Sequence, residues 1–111
     1  MSTLSTHVLD AVTGTPAAGV SIRLERRAGE ADDSWADLGL VITDDDGRSR
    51  AFPELQPGVH RLVFDTAGYF RASGRDCFYP EVAICFAIAA EGHHHVPLLL
   101  SPFAYSTYRG S

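Results

Sequence analysis

Short runs rich in valine, isoleucine, leucine and phenylalanine are separated by proline, glycine and aspartate clusters, which recur about every ten residues. These are Gly14-Thr15-Pro16, Asp44-Asp45-Asp46-Gly47, Gln56-Pro57-Gly58 and Ser101-Pro102. That rhythm predicts an all-β sandwich or barrel. Within the runs the period is two. Ser21-Ile22-Arg23-Leu24-Glu25-Arg26 alternates polar with apolar, and Val82-Ala83-Ile84-Cys85-Phe86-Ala87-Ile88 alternates large with small. Strands with one face packed on a core show this pattern. In His60-Arg61-Leu62-Val63-Phe64 the same period places His60, Leu62 and Phe64 on one side. The pattern predicts strands near residues 4–9, 20–27, 36–43, 48–52, 59–65, 82–89, 93–100 and 103–109. Together they make two four-stranded sheets. One short helix is expected within Ala67 to Ser73, ahead of Gly74. Glu30-Ala31-Asp32-Asp33 is expected to form a solvated hairpin connection, because charge this dense cannot enter a core without partners.

Composition narrows the function classes. The 111 residues, 45% apolar and 21% charged, read as a single domain over 1–111. A chain of this size buries enough surface to fold without disulfides or a structural metal. Nine basic residues against 14 acidic ones give a formal charge of −5, which disfavours a nucleic-acid partner. No window approaches the ~18 uncharged apolar residues of a membrane-spanning helix. The start, Met1-Ser2-Thr3-Leu4, has neither a basic cap nor an apolar run. Cys77 and Cys85 show no CxxC spacing and read as free buried thiols of a reducing compartment. A cytoplasmic location is therefore expected, with no membrane association.

Polar groups at the centre of apolar strands are the informative features, since burying them costs free energy unless something compensates. Alternation in Leu4-Ser5-Thr6-His7-Val8-Leu9 puts Ser5, His7 and Leu9 on one face, opposite Thr6 and Val8. In His93-His94-His95 the outer two share a face and His94 points the other way. A His-x-His pair can supply two zinc ligands, but no HExxH and no carboxylate partner accompanies it. Neutral imidazole also suits general acid–base work near pH 7. Asp46-Gly47-Arg48 fits a tight turn leading into a strand. An arginine there can donate two parallel hydrogen bonds to a carbonyl or a developing anion. The ending Tyr105-Ser106-Thr107-Tyr108-Arg109-Gly110-Ser111 follows a strand closely, so the chain is expected to stay ordered and present Ser111 with its free carboxylate.

Together, Leu4-Ser5-Thr6-His7-Val8-Leu9-Asp10 with Gly14-Thr15-Pro16-Ala17, Asp46-Gly47-Arg48, His95-Val96-Pro97-Leu98-Leu99-Leu100-Ser101-Pro102 and Tyr105-Ser106-Thr107-Tyr108-Arg109-Gly110-Ser111 resemble the motifs of the 5-hydroxyisourate hydrolases, the transthyretin-related enzymes of purine catabolism. The resemblance spans almost the whole chain. The closing Tyr-Arg-Gly-Ser separates these hydrolases from transthyretin proper, the hormone carrier, which also lacks the histidines. His94 stands where the family more often has an aromatic residue, and Gly74-Arg75-Asp76-Cys77-Phe78-Tyr79 follows no motif of it.

The resemblance implies a transthyretin-like two-sheet sandwich of about eight strands with one short helix. It also implies a homotetramer, built as a dimer of dimers. One sheet would order its strands D, A, G, H, with Arg48 starting D, His7 on A, His95 on G and Ser111 ending H. His7, Leu9, His93, His95, Pro97, Leu99, Ser106 and Tyr108 would share its outer face, which meets a symmetry mate to enclose a channel. Val8, Ile22, Leu24, Leu62, Phe64, Val96, Leu98 and Leu100 would point inward as core.

The implied reaction is hydrolysis of 5-hydroxyisourate at the ring amide between N1 and C6, giving 2-oxo-4-hydroxy-4-carboxy-5-ureidoimidazoline in urate degradation, without metal or cofactor. His7 is expected as general base. His95 would share the proton network or orient the water, and Arg48 would polarise the carbonyl or hold the anionic edge of the ring. Ser111 would fix the imidazole geometry, with Tyr108, Leu99, Ser106 and Arg109 binding substrate. Two rival readings stand beside this one: a transthyretin-like small-ligand binding protein without catalysis, and a metal-dependent hydrolase using His93 and His95.

Overall fold

The period-2 segments assemble into two sheets in the computed structural model, which describes residues 1–29 and 32–111. The elements are β1 (Ser2–Asp10), β2 (Thr15–Pro16), β3 (Ser21–Gly29), β4 (Asp32–Ile42), β5 (Arg48–Ser49), β6 (Gly58–Phe64), α1 (Thr66–Ala72), β7 (Val82–Ile88), β8 (Gly92–Ser101) and β9 (Ala104–Thr107). One sheet runs β2-β1-β8-β9, with β5 also paired to β1; the other runs β4-β3-β6-β7. The order β5, β1, β8, β9 is the expected D, A, G, H. All pairs are antiparallel except β1 with β8, whose parallel register runs from Ser2↔Gly92 to Asp10↔Leu100.

The core lies between the sheets. Leu4 and Val8 of β1, with Val96, Leu98 and Leu100 of β8, meet Ile22, Leu24, Leu62, Phe64 and Val82 of the opposite layer, all buried. The inward set read from the sequence is thus the core. His60 is buried with Leu62 and Phe64, as its alternation predicts. Its Nδ1 lies 3.1 Å from the Gly58 carbonyl, and burial holds its pKa below the ordinary histidine value. Among the described residues no helix is long and apolar enough to cross a membrane.

Several element boundaries differ from expectation, each for a physical reason. A further two-residue strand, Thr15–Pro16, pairs with Leu9 and Asp10 after the Gly14 turn. The strand expected over 48–52 is only Arg48–Ser49, because the Ser49 Oγ takes the Ala51 N–H and the chain turns away before Pro53. Asp32 and Asp33 begin β4 instead of lying in a loop. That strand forms a sheet edge, where Asp33 is exposed and needs no partner. Glu30 and Ala31, the rest of the expected connection, lie outside the described residues. Helix α1 starts one residue early, after Asp65, whose carboxylate accepts the Gly68 N–H. Of the two thiols, Cys77 is half-buried and Cys85 exposed, so neither is the buried thiol expected: Cys85 lies on the outer side of β7, opposite the core-facing Val82 and Ile88.

Asp10 ties the end of β1 to the helix layer. Its buried carboxylate accepts from the Tyr69 hydroxyl at 2.8 Å, the Arg75 guanidinium at 2.6 Å and the N–H groups of Val12 and Thr13. Burial alone would raise its pKa, but these four donors outweigh it and hold the carboxyl well below the usual range.

Candidate active site

Arg48 owes its place to a knotted turn. The Asp44 carboxylate accepts the N–H groups of Asp46 at 2.9 Å and Arg48 at 3.0 Å, while the Gly47 N–H donates to the Asp44 carbonyl. Gly47 has φ 74°, and its carbonyl accepts the Val8 N–H at 2.7 Å. A Cβ there would lie 2.3 Å from the Val8 carbonyl oxygen, so both the conformation and the close approach require glycine. The turn delivers Arg48 opposite His7 in the β1–β5 ladder. Residues paired across a ladder project to the same face.

The parallel β1–β8 register extends that face. Thr3 pairs with His93, Ser5 with His95 and His7 with Pro97, while Thr6 turns inward and donates to the Val96 carbonyl at 2.6 Å. Ser5 Oγ lies 2.8 Å from His93 Nε2 and 2.8 Å from His95 Nδ1, and Thr3 Oγ1 lies 2.7 Å from His93 Nδ1. Half-burial lowers the pKa of His95, and the neighbouring charges of Arg48, His7 and His93 lower it further; a hydrogen bond to the Ser5 backbone opposes them. His95 is therefore neutral at pH 7 and able to accept a proton or a hydrogen bond.

Beyond β9 the chain returns to this site. The Gly110 N–H donates to the His95 carbonyl at 2.9 Å, and the two residues form an isolated bridge. A Cβ at Gly110 would fall 2.4 Å from His95 Cδ2, so the absence of a side chain lets the backbone lie against the imidazole. Ser111 follows. A pocket of about 210 Å³ is lined by Ser5, Thr6, Arg48, Arg50, His93, His95 and Ser111.

The structure thus brings together Arg48, His95 and Ser111, with His7 alongside as the ladder partner of Arg48. Tyr108 and Arg109 line an adjoining, larger and mostly apolar groove of about 480 Å³ with Ile84, Phe86 and Thr107, and His95 lines both cavities. Leu99 and Ser106 face one another across β8–β9 and line neither cavity. The strand expected over 103–109 ends at Thr107 because Pro97 has no N–H for the neighbouring chain; pairing resumes only at His95↔Gly110.

Sequence reasoning did not assign Ser5, Arg50 or His93 to the site. For Ser5 and His93 the signal was present: alternation put Ser5 on the His7 side of its strand and His93 on the His95 side, and the resemblance united His7, His93 and His95 on one face. That Ser5 meets both imidazoles depends on the parallel register. His94, on the opposite side, has its Nε2 3.3 Å from the Ala90 carbonyl. Among the described residues no three histidine, cysteine or acidic side chains converge to hold a metal ion.

Comparison with known proteins matches residues 4–110 to the HIUase/Transthyretin family. A 5-hydroxyisourate hydrolase of Caulobacter vibrioides is 48% identical, the match covering 100% of both chains. The solved structure of Klebsiella pneumoniae 5-hydroxyisourate hydrolase superimposes with a TM-score of 0.88 at 39% identity, covering 100% of each chain. Sea bream transthyretin in complex with thyroxine superimposes with a TM-score of 0.89 at 33% identity, covering 96% of this chain and 93% of that one. Fold similarity alone does not separate hydrolase from carrier.

Proposed function

The chain belongs to the HIUase/Transthyretin family, and from that premise we propose that it hydrolyses 5-hydroxyisourate to 2-oxo-4-hydroxy-4-carboxy-5-ureidoimidazoline in urate degradation. The observation that carries this reading is the convergence of His95, Arg48 and Ser111 on one polar pocket beside His7. A carrier has no use for two imidazoles and a guanidinium on one face. Hydrolysis of a ring amide needs all three: a base for the water, stabilisation of the oxyanion and a rigid seat.

In this mechanism His7 takes one proton of the attacking water, and His95 holds the other through its free ring nitrogen. The water oxygen bonds to C6 while the Arg48 guanidinium stabilises negative charge on the carbonyl oxygen. The C6–N1 bond then breaks, and the proton taken by His7 passes to N1. The Ser111 hydroxyl completes the pocket wall. Tyr108 and Arg109 bind substrate from the groove that adjoins this pocket at His95, and Leu99 and Ser106 contact it where a second subunit closes over the face. The assembly is a homotetramer in which this outer face meets its symmetry mate and excludes water, which strengthens each electrostatic contact. Residues 1–111 act as one transthyretin-like hydrolase domain in the cytoplasm, with no cofactor.

The test follows the ultraviolet decay of freshly generated 5-hydroxyisourate with and without purified protein. Acceleration that survives chelator is expected, and His7→Ala should lose about 10²–10⁴-fold in kcat while keeping its fold by circular dichroism. An unchanged decay rate would support the carrier reading instead, and loss on chelation the metal-dependent one.

A further inference from the structure

Ser5 stands between two imidazoles. Its Oγ is 2.8 Å from His93 Nε2 and 2.8 Å from His95 Nδ1, and His93 Nδ1 is in turn 2.7 Å from Thr3 Oγ1. The row is a product of register, since Thr3 lies opposite His93 and Ser5 opposite His95. A serine hydroxyl has a single proton, so it can donate to one ring only and must accept from the other. Two neutral arrangements satisfy the row. In the first, His95 Nδ1–H donates to Ser5, Ser5 donates to His93 Nε2, and His93 Nδ1–H donates to Thr3. His95 Nε2 is then a bare lone pair. In the second every donor is reversed, and His95 Nε2 carries the proton.

Arg48 decides between them. Its permanent positive charge shares the pocket with His95 and favours a lone pair over an N–H on the free nitrogen. The groups facing His95 are His7 and Ser5 from β1, Arg48 from β5 with Arg50 just beyond it, His93 from its own strand, the Gly110–Ser111 segment, and Tyr108 and Arg109 across the adjoining groove. Within the pocket, the Ser5 hydroxyl is hydrogen-bonded to the His95 ring.

We propose that Ser5 and His93 are positioning residues that hold His95 in its Nδ1–H tautomer, so that Nε2 offers its lone pair to the reacting water. His93 supplies the acceptor that draws the Ser5 proton away from His95. Without it, Ser5 is free to donate to His95 Nδ1 and turn the ring's protonation around. The catalytic consequence rests on the hydrolase reading above; the tautomer does not.

Nitrogen-15 NMR of the full chain reads the His95 tautomer directly, and the ultraviolet assay gives kcat and KM. The wild-type protein should show Nδ1–H. Ser5→Ala should shift His95 toward Nε2–H and lower kcat about 10–100-fold, the usual effect of removing a supporting hydrogen bond, with KM little changed. His93 is exposed, so its variants test the idea without risk to folding. His93→Gln, whose amide oxygen can take the Ser5 proton, should keep the wild-type tautomer and most of kcat, whereas His93→Leu should lose both. An Nε2–H tautomer in the wild type, an unchanged tautomer in Ser5→Ala, or equal losses in His93→Gln and His93→Leu would each overturn the proposal. Absence of any wild-type hydrolysis would instead strike the hydrolase reading, leaving the NMR result to decide the tautomer.

Discussion

His95 holds a proton less readily than a free histidine, because burial and the charges of Arg48, His7 and His93 disfavour its cation. An NMR titration should therefore place its midpoint below the ordinary value of ~6.5. The folded state then binds fewer protons at this ring than the unfolded chain does. Its contribution to stability is complete above ~6.5 and is lost as the pH falls through the folded value. A midpoint at or above the ordinary value would mean that Arg48 does not bear on the ring. At the same scale, the Asp10 carboxyl is held well below its usual pKa by Arg75, Tyr69 and two backbone N–H groups. Its stabilisation is present above ~3.9 and fades in stronger acid. Asp10→Ala leaves the Arg75 guanidinium without its carboxylate and should destabilise the fold by about 3–5 kcal/mol in urea unfolding.

At the scale of elements, the site hangs on two glycines that end or interrupt strands. The Gly47 turn sets the approach of β5 to β1, and Gly110 brings the last segment against the His95 ring. Their replacement should have different consequences. Gly47→Ala forces a Cβ into the Val8 carbonyl at a positive φ, so it should lower Tm and activity together. Gly110→Ala crowds the His95 side chain, ring and Cβ, near the chain end, so it should reduce kcat with Tm little changed. Equal Tm losses in the two variants would show that the last segment supports the fold and does more than place His95 and Ser111. The short span of β5 follows the same logic. Two ladder positions suffice to face Arg48 toward His7, and Ser49 then helps turn the chain away.

For the whole molecule, the sandwich is a scaffold that a 5-hydroxyisourate hydrolase and a thyroxine-bound transthyretin match at almost equal TM-scores, so activity lies in what one outer face carries. In a single subunit that face is open to water: Arg48 and Ser111 are exposed, and the pocket is shallow. Specific activity should accordingly fall when the protein is diluted until light scattering or sedimentation reports single subunits. Full turnover by a lone subunit would remove assembly from the mechanism.

Alternation along the chain was enough to locate most of the strands and the side each residue takes within its strand, because side-chain direction in a strand is a local property with period two, and the resemblance added which sides form the inward core from Val8 to Leu100 and the outward set of His7, His93 and His95. The motifs at Asp46-Gly47-Arg48 and Tyr108-Arg109-Gly110-Ser111 were likewise legible, since each depends on a few adjacent residues. Which strands become neighbours, and in what register, is set by packing between segments some ninety positions apart. Only the folded chain could therefore place Ser5 between His93 and His95, add Arg50 to the pocket and seat Tyr108 and Arg109 in a second groove that meets the pocket at His95. The chain's own pattern determined which groups face outward; tertiary pairing decided which of them meet.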